Sequence, residues 1–357
     1  MNNSMQVKRY DYLDNIKWVL AVLVIVHHSA STAGLDPIGY NLPRVDEIMQ
    51  HQYSILVKFN KINQSFFMSL FFFISAYFVL PSFERKGAGK FMLDKLKRLG
   101  IPTLITLFAI FPILSIEFAT SNVKDFFLTA NIDLGVTWFC WTLIVFSAVF
   151  ALSQIVGAGN QKAYVDKPFP ALWKILLFAV MIIPVNFFGL YLMEALGTNF
   201  LGFHLLKYFP MYISMFYFGI QAYRYQWLDK LEFKHAFAGI LMWIIAGAFV
   251  SPVASDYGLN DEMVTRGLTV IGMSMFLLYS FKVLFNDKGK WSSILTRTAF
   301  AAYVVQNIPM GFAADFYKSF MTQIPLINFV VIAIPSVIGS FAIGYLICKT
   351  PVLKRIF

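Results

Sequence analysis

"LDNIKWVLAVLVIVHHSAST", Leu13–Thr32, reads as a membrane-spanning helix, yet it carries Asp14 and Lys17 at one end and His27 and His28 deep inside. Roughly 20 mostly apolar residues cross the hydrocarbon core. Ionisable groups within such a run are costly to desolvate, and they face a cavity or a partner. A helix turns about 100° per residue, so Lys17 and His28 leave it within about 20° of each other. Asp14, Lys17, Ala21, Val24, His28 and Thr32 therefore share one stripe, with His27 turned about 100° away. At about 1.5 Å per residue, His28 lies about 16 Å beyond Lys17. The bland alternative is a histidine hydrogen-bonded to a neighbouring helix. The stripe of Asp, Lys and His on one face favours a reaction site.

The same stretch mimics a secretory signal, with Lys8, Arg9 and Lys17 before an apolar core and "SASTAG" after it. Asp11 and Asp14 in the would-be basic region, and two histidines ending the core, argue for a retained span. The 357 residues are 58% hydrophobic and 13% charged, with 39 phenylalanines and 17 tyrosines, and the mean hydropathy is +0.65. Soluble domains carry about 25% charged residues. The chain is expected to be an all-α polytopic membrane protein. Its net charge of +10 is not a nucleic-acid signal, because the cations sit in short stretches between apolar runs. Cys140 and Cys348 form neither a disulfide framework nor a metal-ligand spacing, so no metal site is expected.

About ten spans are expected, near 15–33, 62–80, 100–119, 136–156, 171–193, 208–224, 235–253, 265–285, 297–314 and 325–347. Gln306, Asn307 and Pro309 interrupt the ninth. Placing alternate loops on opposite sides puts 22 of the 29 lysines and arginines on the amino-terminal side. By the positive-inside rule, both termini are cytoplasmic. The longest loop, about 34–61, would face outward, and its "HQYSILVKFNK" suggests a short interfacial helix. No internal repeat is visible, and residues 1–357 are expected to form a single transmembrane domain without an appended soluble one.

Three further stretches are candidates for chemistry. "FFFISAYFVLPSFERKGAGKFMLDKLKRLGIPTL", residues 71–104, ends in a basic amphipathic segment in which Lys95 and Arg98 share a face. These cations suit phosphates, or serve only as a topology signal. "GVTWFCWTLIVFSAVF", residues 135–150, places Trp138 and Trp141 at the start of a span. Aromatic belts account for that position, and so does stacking on a sugar. "KYFPMYISMFYFGIQAYRYQW", residues 207–227, reads as packing.

Taken in order, these blocks resemble the membrane-bound acyltransferase-3 family, whose members move acyl groups onto carbohydrates and other acceptors at bacterial envelopes. "LDNIKWVLAVLVIVHH" is similar to its opening block, and its arginine–ten residues–histidine pair falls on Lys17 and His28. Residues 71–102, 135–147 and 209–228 match later blocks, so the resemblance covers the chain. Two departures stand out. Lys17 replaces the arginine and loses its bidentate fork, and Gln306 stands where many relatives carry histidine.

The resemblance implies O-acetylation-type chemistry in polysaccharide modification. The protein would be a multi-pass acyltransferase of the bacterial inner membrane, in contact with membrane lipid. It would move an acyl group, expected to be acetyl, from cytoplasmic acyl-CoA to a hydroxyl of an envelope glycan or its lipid-linked precursor. Acyl-CoA would be a substrate, with no permanently bound cofactor. His28 would be the general base, and Asp14 would orient Lys17. Lys17, Lys95 and Arg98 would hold the CoA phosphates, while Trp138 and His27 would contact the acceptor. The rival is a transporter or flippase with His28 as a proton relay. The expected topology is tested by impermeant thiol labelling of single cysteines in intact cells. Loop 34–61 should label and 81–99 should not; the reverse pattern would sink the arrangement.

Overall fold

Each expected span falls largely on helix in the computed structural model, which describes residues 10–35, 50–157, 165–287, 289–317, 320, 324–351 and 353–357. The helices are α1 Asp11–Ala30, α2 Gln50–Tyr77, α3 Val79–Lys95, α4 Ile101–Ile105, α5 Phe111–Leu114, α6 Ile116–Thr129 and α7 Trp138–Ile155. There follow α8 Leu172–Met181, α9 Ile183–Leu196, α10 Phe209–Arg224, α11 Phe233–Ile245, α12 Ser251–Asp256 and α13 Asp261–Leu284. The last three are α14 Lys290–Val305, α15 Asn307–Tyr317 and α16 Pro325–Lys349. No strand occurs among the described residues, only an isolated bridge between Asn131 and Phe200. A bilayer core leaves no water for backbone groups, so internal satisfaction by helices is the expected solution.

Among the described residues, seven helical runs are long and apolar enough to cross a membrane: Asp11–Ala33, Val79–Leu114, Gly135–Ile155, Leu172–Leu196, Phe233–Asp256, Asp261–Leu284 and Pro325–Lys349. The protein is an all-α polytopic membrane protein. The other three expected spans are helical but shorter or more polar. The run expected at 62–80 lies mostly in α2, which begins twelve residues earlier at Gln50 and carries Lys58 and Lys61. α10 has 16 residues, and the ninth run breaks between α14 and α15 at Gln306. "HQYSILVKFNK" is not a separate interfacial helix. It is the first part of α2, because no turn residue separates it from the apolar run that follows.

Proline explains a recurring distortion. Wide π-turns at Leu96–Gly100, Thr106–Ile110 and Ala246–Val250 each precede a proline at the second position of the next helix: Pro102, Pro112 and Pro252. Proline has no N–H to offer the carbonyl one turn back, and the helix re-registers around the gap. Gly87, at φ 71° and ψ 165°, breaks α3 and swings the basic segment away from the line of α2. A left-handed φ there favours glycine.

The core centres on α2. α1 packs against α2, α14 and α16, and α10 lies along α2. Phe72 is fully buried, with its ring 4.7 Å from Phe139, 5.3 Å from Phe146 and 4.9 Å from Tyr212. One side chain thus joins α2 to α7 and α10. Away from this centre, Phe108, Ile113, Val149, Trp173, Phe249 and Ile338 are exposed, as lipid-facing residues should be. Cys140 and Cys348 are free and buried, as small apolar residues.

α10 reaches α2 through Gly219, where an added methyl would strike the Phe73 carbonyl oxygen and the Ala76 side chain. Overpacking of this kind costs about 1–3 kcal/mol. Gly219→Ala is expected to lower thermal stability in detergent. An unchanged melting temperature would show that α10 and α2 can separate without cost.

Candidate active site

The polar stripe of α1 borders a side pocket of about 180 Å³ at His28 and Thr32 and opens into two larger cavities. The first, about 380 Å³, is lined by Lys17, Ala21, Ser75, Arg98, Met68 and Tyr303 among others. The second, about 680 Å³, is lined by Val24, His27, His28, Trp138, His204, Met68 and Tyr303 among others. Met68 and Tyr303 belong to both and divide them. Lys17 and His28 therefore do share one helix face, but they lie in different chambers. The Tyr303 hydroxyl donates to the Val136 carbonyl, which fixes this partition against the turn that starts α7.

In the smaller chamber, Lys17 Nζ lies 2.7 Å from Asp14 Oδ1 and 5.0 Å above the centre of the Phe78 ring. Both groups hold an ammonium at a bilayer edge, one by ion pairing and one through the ring quadrupole. The start of α1 is anchored independently. Asn15 Nδ2 donates to the Phe285 and Asp287 carbonyls at 2.7 and 3.0 Å, and Ser292 donates to Asn15 Oδ1. Arg98, on the π-turn after α3, is exposed and shares this chamber with Lys17. Lys95 does not. It lines a separate surface cavity of about 330 Å³ with Arg85, Lys86 and Arg98, and its Nζ sits 5.6 Å from the Phe91 ring centre. The three expected donor-side cations are thus linked through Arg98 rather than gathered at one point.

In the larger chamber, His27 and His28 meet edge to face with ring centres 5.4 Å apart, and His27 lies 5.1 Å from Phe67. The 100° rotation of His27 does not remove it from the cavity, because the chamber is wide enough to touch both faces. Ser31, Asn60 and Gln64 supply further polar groups, and Asn60 Nδ2 donates to Ser31 Oγ at 2.9 Å. Trp138 is buried and stacks on Tyr212 at 5.6 Å, with an interplanar angle of 29°. It also lies 5.7 Å from His204. Trp141 instead donates to the Leu201 carbonyl at 3.0 Å. Gln306 is fully buried at the α14–α15 break and donates to the Tyr303 carbonyl at 2.8 Å. It thereby supports the partition.

His204 was not singled out from the sequence. It sits on the tight 197–205 loop, where Leu201 and Leu205 adopt left-handed φ values of 51° and 56°. Left-handed non-glycine residues are held only where their surroundings over-determine them. Here Leu205 N–H bonds the Thr198 carbonyl, Leu201 N–H bonds that of Ala130, and His204 Nδ1 lies 2.7 Å from Asn199 Oδ1. Lys207, Glu262 and Arg266 are also on the cavity wall, and none of the three is a site candidate from the sequence. Glu262 and Arg266, four apart at the start of a mostly apolar helix, were the available signal.

A family model described as an acyltransferase domain, that of the acyltransferase-3 family, matches residues 10–347. The chain belongs to this family and is a membrane acyltransferase. No curated protein and no solved structure matches it.

Burial lowers the pKa of His204 to about 4, because the imidazolium loses its hydration. The unfolded chain takes up this proton near pH 6.5, while the folded chain resists until about 4. Stability is therefore full above pH 6.5 and falls as pH drops through that window. His204→Gln should flatten the decline in a denaturation series from pH 7 to 4. A curve unchanged by the substitution would assign the acid sensitivity elsewhere.

Proposed function

We propose that the protein transfers an acyl group, acetyl in the simplest case, from cytoplasmic acyl-CoA to a hydroxyl of an envelope carbohydrate. The supporting observation is the pair of chambers along one face of α1, which meet at Met68 and Tyr303. In this reading the smaller chamber is the donor side and the larger the acceptor side. Lys17 and Arg98 attract the CoA phosphates, with Lys95 on the approach to Arg98. Asp14 holds Lys17 in place at 2.7 Å. The acyl end of the thioester passes the partition toward His28. A cavity of about 680 Å³ is in the range of small-molecule sites.

His28 removes the proton from the acceptor hydroxyl as its oxygen attacks the thioester carbonyl. The carbon–oxygen bond forms, the carbon–sulfur bond breaks, and the proton returns from His28 to the leaving thiolate. The products are the O-acyl carbohydrate and free CoA thiol. His27 and Trp138 flank the acceptor. Residues 1–357 act as one domain in the inner membrane with both termini cytoplasmic, which places Lys17 and Arg98 at the CoA-bearing face.

The test is transfer of radiolabelled acetyl from acetyl-CoA to envelope glycan in membrane vesicles. His28→Ala is expected to reduce it by about 10²–10⁴-fold at normal membrane abundance, and Lys17→Arg is expected to remain active. Arg98→Ala should raise the apparent KM for acetyl-CoA about 2–10-fold, since Arg98 is exposed to solvent screening. No transfer by the wild type, or equal small losses for His28→Ala and His27→Ala, would overturn the scheme.

A further inference from the structure

The wall of the larger chamber carries an ion network for which the proposed reaction has no use. Glu262 Oε1 accepts from the Tyr208 hydroxyl at 2.7 Å and from an Arg266 terminal N–H at 3.1 Å. Its Oε2 accepts from Lys207 Nζ at 3.0 Å. Asn260 caps the start of α13 by accepting from Met263 N–H at 3.2 Å, which fixes Glu262 in the first turn and Arg266 one turn later. Carboxylates are favoured at that end by the helix dipole. Lys207 lies on the single turn Leu206–Tyr208 that leads into α10.

The members differ in exposure. The Arg266 side chain is 1% exposed, stacked 3.4 Å from the Tyr208 ring centre and donating to the Gln64 carbonyl at 3.3 Å. Glu262 is 33% exposed and Lys207 20%. Arg266 thus stands behind, while the carboxylate and the ammonium keep a face toward the chamber. Burying such charges costs several kcal/mol per ion, and packed apolar residues would serve the fold as well.

We propose that Glu262 and Lys207 form a sugar-binding subsite in the His28 chamber. Glu262 accepts a hydrogen bond from one hydroxyl of the acceptor, and Lys207 donates to a neighbouring one. Arg266 is a positioning residue that holds Glu262 in register. The ligand is an uncharged polyhydroxyl compound rather than an anion, because Glu262 already engages Lys207 and Arg266 and an anion would have to displace it. The aromatic path from Tyr208 through Tyr212 to Trp138 and His204 connects this subsite to the histidine end of the chamber. The inference rests on the carbohydrate acceptor of the proposed function.

The experiment compares two acceptors for labelled acetyl-CoA in membranes bearing the full chain. One is the endogenous envelope glycan. The other is hydroxylamine, which needs no sugar subsite and yields acetohydroxamic acid and free CoA thiol; because it also attacks the thioester unaided, only product formed above that in membranes lacking the protein is counted. Glu262→Gln and Lys207→Gln should each lower the ratio of glycan label to hydroxamate at least about tenfold, as expected for loss of a charge-assisted hydrogen bond. Lys207→Gln, at the partly exposed edge, reads the ratio alone if Glu262→Gln does not accumulate in the membrane. An unchanged ratio overturns the subsite while leaving the acyl transfer intact. A wild type that forms neither product overturns the transfer reading, and the subsite with it.

Discussion

The placement of the chambers depends on the contact of Phe72 with Trp138, Phe139, Phe146 and Tyr212. Phe72 is fully buried on α2, and its neighbours come from α7 and α10. Aromatic pairs of this kind add about 0.5–1.5 kcal/mol each beyond the area they bury. Their geometric effect matters more. Trp138 leads to His204 on one side, and Tyr212 leads through Tyr208 to Arg266 and Glu262 on the other. Both polar walls of the larger chamber are therefore registered against one apolar ring.

The second constraint is that polar groups inside a bilayer must be satisfied. Several polar groups of the protein find protein partners. Lys282 Nζ bonds the Leu228, Asp229 and Leu231 carbonyls at 2.9, 2.9 and 3.0 Å. Asn186 reaches the Met263 carbonyl at 3.1 Å, and Ser336 and Ser340 bond back to their own helix. The two chambers differ from these closed sites because their polar side chains keep open space in front of them. A membrane helix can carry ionisable residues only toward such space or a partner. The same feature that makes Lys17 and His28 costly in lipid suits them to a substrate that brings its own charge and hydroxyls.

Much of the fold was legible because lipid imposes a simple rule: an apolar run of sufficient length becomes a helix. The stripe from Asp14 to His28 followed from helix periodicity alone, and α1 runs without interruption from Asp11 to Ala30. Less legible were the π-turns, whose cause lies in the N–H that each proline fails to offer the carbonyl a turn back. The separation of Lys95 from Lys17 was hidden as well, since it depends on which cavity each side chain meets. His204 was invisible for another reason. Its loop carries no span signal, and its position is set by backbone bonds to residues 130 and 198.

The sequence by itself determined the membrane class, the helical segments, the family and the helix face that carries Asp14, Lys17 and His28. These are local properties, fixed by hydropathy, a 3.6-residue period and ordered motifs along one chain. Only the tertiary structure decided that Lys17 and His28 on this face meet different chambers. It also decided that Met68 and Tyr303, from α2 and α14, stand between them. The convergence of Lys207 with Glu262 and Arg266 was likewise a tertiary matter. These residues lie on helices brought together by side-chain packing, and no periodicity within a single helix encodes which neighbour it will meet.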